Sequence, residues 1–204
     1  FDYLTVDSLE GSVVTGSIQI NSDSDIRRTC DISLVVTDSS FDVQAGGEIW
    51  IDKLIQIYVG VQNLHTSEIE WTNMGIYLIN QPSYQYDAVT HTLTFSGVDL
   101  MSRMTGLRNG YLIGVTYKVP AGNNIREVII AILAENGFKK YVVSECYNNN
   151  GDIQEVPYDM EYEMGSCWYD ILSDLRDILP NYQIYFDVDG VFHYEPIPYT
   201  DSEP

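Results

Sequence analysis

The sequence predicts a mainly β protein with an α+β part. An N-terminal antiparallel β-barrel or sandwich domain is expected over residues 1–119, a small two-helix α+β domain over 120–198, and a tail or truncation point over 199–204. Three observations carry this. Apolar and polar residues alternate with a period of two up to about residue 119, broken by Gly, Asn, Asp and Ser clusters about every ten residues. At Pro120-Ala121-Gly122 the period lengthens to the helical value of about 3.6. Sixteen Tyr beside six Phe and three Trp form a β-leaning aromatic set.

The expected strands are Tyr3 to Asp7, Val13 to Asn21, Cys30 to Val36, Trp50 to Val61, Gly75 to Asn80, Thr92 to Val98 and Tyr111 to Val119, with Ile32, Leu34 and Val36 on one face. Short strands at this spacing suggest closure or covering, because open sheet edges invite pairing with other chains. Asn124 then reads as an N-cap, Ile125, Val128, Ile129, Ile132 and Leu133 recur on one helical face, and Gly137 supplies a left-handed stop. A second helix starts at Ser166, presents Trp168, Ile171, Leu172, Leu175 and Leu179 on one side, and stops at Pro180. Residues 182–187 and 191–195 flank Val188-Asp189-Gly190 as a tight hairpin. Its Ile184, Phe186 and Phe192 are the expected cover for the second helix.

Of 204 residues, 45% are hydrophobic and 20% charged, the composition of a folded chain. Thirty acids against ten Lys and Arg give a net charge of −20. Repulsion toward phosphate argues against direct nucleic-acid recognition and against docking on anionic lipid. The acidity is uneven, since residues 151–204 hold 13 acids and a single base, Arg176. Cys30, Cys146 and Cys167 are too few and too scattered for a disulfide framework, so reduced thiols are expected. The chain has no run of 18 apolar residues, so membrane insertion is not expected. Because the sequence begins at Phe1 rather than Met, a missing leader or a few missing residues are expected at its start, and Ser202-Glu203-Pro204 reads as a tail or truncation point.

Several clusters invite chemical readings. Gly165-Ser166-Cys167-Trp168 resembles the run around the papain-type nucleophile and starts a helix, a position that lowers a thiol pKa. The papain-type His and Asn lie far downstream of that nucleophile, whereas here one histidine, His193, follows Cys167, so a capping Ser and a packing Trp are favoured. Asp187-Val188-Asp189-Gly190 is similar to the start of a calcium loop, but Phe192 and Pro198 stand where Gly and Glu are needed. Asn21-Ser22-Asp23-Ser24-Asp25 is oxygen-rich and reads as a solvated loop. His65, His91 and His193 lack partners at metal spacing, and Asp159, Glu161 and Glu163 alternate as the outer face of a strand. No catalytic, cofactor-binding or metal-ligating residue is assigned.

Four segments together carry a resemblance: Gly16 to Arg28, Trp71 to Ile79, Pro120 to Ile125 and Asn181 to Pro198. Their order, a β-barrel, a helix, a Glu-x-Gly-Ser-x-Trp-Tyr-Asp-Ile-Leu helix and a Tyr-x-Ile-Tyr-Phe-Asp-x-Asp-Gly-Val hairpin, resembles the baseplate or tail-tip hub family of phage and prophage tails, which includes the late control protein D group and prophage tail proteins of Gram-positive hosts. The resemblance implies a virion structural protein, located in the virion tail and in host cytoplasm during assembly. It implies tail tube, spike, fibres and tape-measure protein as partners, and a homo-oligomer, with a trimer favoured. Family subunits hold two barrels, and this chain shows one, as the N-terminal part of a hub or a shortened member would. Two alternatives stay open. One is a cell-wall hydrolase of the tail tip, dependent on Cys167 or on carboxylates; the other is a receptor- or carbohydrate-binding tail module using surface Tyr and Trp.

Overall fold

A computed structural model describes residues 12–35, 53–80, 85–87, 89, 92–114, 116–148, 150–179 and 181–198. The strand expected at Tyr3 to Asp7, the first residues of the one expected from Trp50, and His91 lie outside the described residues. The protein is mainly β with a small helical part. It forms two compact units, Asp2–Leu100 with Val188–Gly190, and Met101–Asp187 with Val191–Pro204.

The N-terminal unit holds β1 (Ser12–Ile20), β2 (Arg28–Val35), β3 (Leu54–Gln62), β4 (Ile69–Ile79), β5 (Gln85–Asp87) and β6 (Thr92–Val98). They form an antiparallel sheet in the order β1-β2-β6-β4-β3, with β5 also on β6. Among the described residues this sheet stays open, with β1 and β3 at its edges. Its core follows from the period of two: Cys30 and Ile32 from β2, Leu93 and Phe95 from β6, and Tyr77 and Ile79 from β4 are buried together with Ile57. Gly97 lets β6 approach its neighbours, because a Cβ there would stand 2.7 Å from Cys30 Sγ and 3.0 Å from Tyr77 Cβ. Tyr77 is buried completely, and its hydroxyl donates to Met74 O at 2.8 Å, which satisfies its polar end.

The C-terminal unit begins around a 3₁₀ turn at Leu100–Arg103 and contains β7 (Tyr117–Val119), α1 (Ile125–Glu135), β8 (Tyr141–Val143), β9 (Met160–Tyr162), α2 (Trp168–Asp177), β10 (Tyr182–Phe186) and β11 (Phe192–Pro196). Of the strand expected over 111–119, only β7 forms; Tyr111 makes an isolated bridge to Cys167, and Gly114 at φ 100° interrupts the run. β7 pairs antiparallel with β9. The second sheet runs β10-β11-β8, with β10 antiparallel and β8 parallel to β11.

α1 starts where Asn124 Oδ1 accepts from Glu127 N at 3.3 Å, and it buries Ile125, Val128, Ile129, Ile132 and Leu133, the predicted face. At its end Gly137, φ 77°, donates to Ala134 O, and Phe138 N donates to Leu133 O at 2.8 Å. α2 packs on β10 and buries Tyr169, Ile171, Leu172 and Leu175. Trp168 is only half-buried, set edge-on to Tyr117 at 5.0 Å between ring centroids, so the fully covered aromatic of this helix is Tyr169 instead. Beneath the helices Phe138, Phe186 and Phe192 pack ring to ring, at 5.0 Å and 5.4 Å.

Candidate functional site

Cys167 is the N-cap of α2, and its backbone N donates to Asp170 Oδ2 at 2.7 Å. Burial first, and then the neighbouring Asp170 carboxylate, push its thiol pKa up from the ordinary value. Both effects disfavour the thiolate that a nucleophilic sulfur needs. Cys30 and Cys146 are buried free thiols, also shifted upward by burial, Cys30 to about 12.

His193 is committed elsewhere. Cross-strand pairing sets it opposite Tyr185, whose ring stacks on the imidazole at 4.9 Å and 9°. Its Nε2 lies 3.0 Å from Asp187 Oδ2 and its Nδ1 3.5 Å from Glu195 Oε2, while Tyr185 OH donates to Glu195 Oε1 at 2.6 Å. With the side chain 17% exposed, this cluster ties β10 to β11 and offers little ring to a substrate.

The oxygen-rich segments serve turns. Asp187 Oδ1 accepts from Val191 N at 2.9 Å, and Gly190 takes φ 71°, closing the β10–β11 hairpin. Asn21 Oδ1 accepts from Asp23 N at 3.0 Å and Asn21 N donates to Arg27 O, closing β1 to β2. His65 sits in the exposed β3–β4 turn, where its N donates to Asn63 Oδ1 at 2.9 Å. Glu161 faces outward from β9 against Lys118 at 3.0 Å, and Asp159 Oδ1 accepts from Ala121 N at 2.8 Å. Among the described residues no group of three or more His, Cys, Asp or Glu is set to hold a metal ion. No helix among them is long and apolar enough to cross a membrane. A shallow recess of about 290 Å³ lies between β7 and α1, lined by Tyr117, Asn123, Asn124, Glu127 and Val128 among others.

The feature best suited to a functional role is a surface rather than a pocket. Beyond a register shift at Ile57/Tyr58, β3 and β4 leave the covered sheet as a two-stranded arm. On one face Trp71 and Ile69 lean across Gly60, whose missing Cβ would meet them at 2.9 Å and 2.7 Å, with Tyr58 alongside. Val59 and Val61 lie on the other face and Leu64 at the tip. All six apolar side chains are exposed, Trp71 to 57% and Leu64 to 91%. The sequence places strands here without telling that these six apolar side chains stay exposed on both faces, with Asn73 near the base of the arm donating to Val188 O at 3.1 Å and to Asp189 Oδ1 at 2.8 Å. A signal was nevertheless present: residues 54–79 carry two acids, Glu68 and Glu70, and no Lys or Arg, in a chain that is 20% charged.

No protein-family model matches the sequence, and no curated protein matches it. Among solved structures, a tail protein from Neisseria meningitidis MC58 is similar in fold, with a TM-score of 0.51 and 11% identity. The likeness covers 88% of this chain but 44% of that one, so the chain spans less than half the length of its structural neighbour.

Proposed function

We propose that this chain is a structural component of a phage or prophage tail, and that its place is the baseplate or tail-tip hub, where tail tube meets spike, fibres or tape-measure protein. The observation that carries the reading is the shared fold with a tail protein over 88% of the chain. The order of sheet, capped helix, second helix and hairpin that first suggested the family supports it. So does the chemistry, because Cys167 has its pKa raised and His193 is held between two carboxylates, arrangements that fit structural roles better than nucleophilic catalysis. The partial coverage of the neighbour fits one portion of a larger hub, which forms a ring as a homo-oligomer, a trimer being favoured. Deleting the gene from the phage or lysogen that encodes it tests this: particles should lack complete tails and regain them on complementation, and normal infectious tails without the gene would overturn it.

A further inference from the structure

We propose that the β3–β4 arm is the surface on which a second copy of this chain docks. The inference deepens the assembly reading above and rests on it for the expectation that copies associate. The geometry begins at the register shift. On the sheet side of it Ile57, Ile76, Tyr77, Leu78 and Ile79 are buried; beyond it both faces of the arm carry exposed apolar residues. The edges are open as well. Among the described residues, β3 is an outer strand, and β4 reaches β6 only through Leu78 and Ile79.

A lone two-stranded ribbon is marginal in water, and natural proteins guard such edges with Lys or Pro. Residues 54–79 contain neither. The apolar content is large for a guardless ribbon. The half-exposed Tyr58 and Trp71 alone offer on the order of 200 Å². Val59, Val61, Leu64, Ile69 and the backbone edges extend this toward the about 800 Å² that each partner contributes to a specific interface.

Charge selects the occupant. Two bodies of net charge −20 repel wherever acid meets acid, so copies can touch at low cost only through a segment nearly free of charge. The arm is such a segment. A basic partner would gain more from the acidic C-terminal quarter, with its 13 acids and one base, than from this sparsely charged ribbon, whose charges are Glu68 and Glu70.

Sedimentation velocity on the whole chain, across a wide concentration range and at low and high salt, tests the proposal. Wild type should self-associate, and more strongly as salt rises. Trp71→Ser, on one face, and Leu64→Ser, at a tip where folding does not depend on it, should each weaken association by about tenfold or more, the scale of losing an interface anchor. Ile113→Ser, equally apolar and 86% exposed but outside the arm, should change nothing. Circular dichroism confirms that each variant folds. A wild type that stays monomeric at both salts, or arm variants that associate like wild type, would overturn the assignment. Either result leaves the tail reading to the gene deletion, and intact tails after deletion would leave the association data standing.

Discussion

Arg28 and Asp99 exchange hydrogen bonds across the end of the β2–β6 ladder: Asp99 N donates to Arg28 O at 3.0 Å, and Arg28 N donates to Asp99 Oδ2 at 3.2 Å. Both residues are buried, at 5% and 1% exposure. Replacing Asp99 by Ala leaves a buried amide without its acceptor, so Asp99→Ala should cost about 1–3 kcal/mol. Asp99→Asn keeps an acceptor oxygen and should cost less. Urea denaturation of the two variants decides it.

Gly75 should tolerate no side chain. Its φ is 125°, and a Cβ there would come within 2.7 Å of Arg28 Nη1 and 3.3 Å of the Tyr77 ring. Gly75→Ala should destabilise by about 1–3 kcal/mol, the usual size of such backbone strain. Gly114→Ala has similar strain at φ 100° but meets nothing within 4 Å, and should be the milder of the two in the same melts.

Alkali should destabilise the N-terminal unit. Burial raises Cys30 from 9.0 and Tyr77 from 10.0, each to about 12, so the folded state holds protons that the unfolded state has released. Stability from these groups is complete below pH 9.0 and falls as pH climbs toward about 12. Melting temperature measured through that window should drop steadily; a flat profile would contradict the burial argument.

In α2, Leu172 is fully buried and Trp168 is not. Leu172→Ala should therefore cost about 2–5 kcal/mol, as core leucines do. Trp168→Ala loses an edge contact with Tyr117 and partial burial, about 1–3 kcal/mol. Equal losses in denaturant titration would mean that the helix is turned differently.

Cys167 should alkylate more slowly at neutral pH than the same residue in the urea-unfolded chain, because its raised pKa keeps the sulfur protonated. Faster reaction with iodoacetamide in the folded state would reopen the hydrolase reading.

What could be read from sequence was local. α1 carries its own cap, its own apolar face and its own glycine stop, and each falls where predicted. β8 and β9 were invisible because each has three residues, and their partners lie far along the chain. Tyr169 is not singled out by the spacing because Trp168 satisfies the same helical face, and which of the two adjacent rings is covered depends on packing that the helix sequence does not carry. The cluster around His193 was within reach: once the turn at 188–190 is fixed, register alone puts Tyr185 opposite it. Exposure of the arm was not, since a strand's sequence does not say how many of its faces meet another layer.

The parallel pairing of β8 with β11 also sets a schedule. β8 ends at Val143, yet its only partner strand among the described residues begins at Phe192, and β11 is the middle strand although it is the last one described. During synthesis β8 must therefore wait, unpaired, until almost all described residues have left the ribosome. α1 and α2 meanwhile lack the sheet side of their core, and an arrest before residue 192 would remove the centre of that sheet rather than its rim. Nascent chains halted short of β11 should therefore remain open to protease throughout the C-terminal unit.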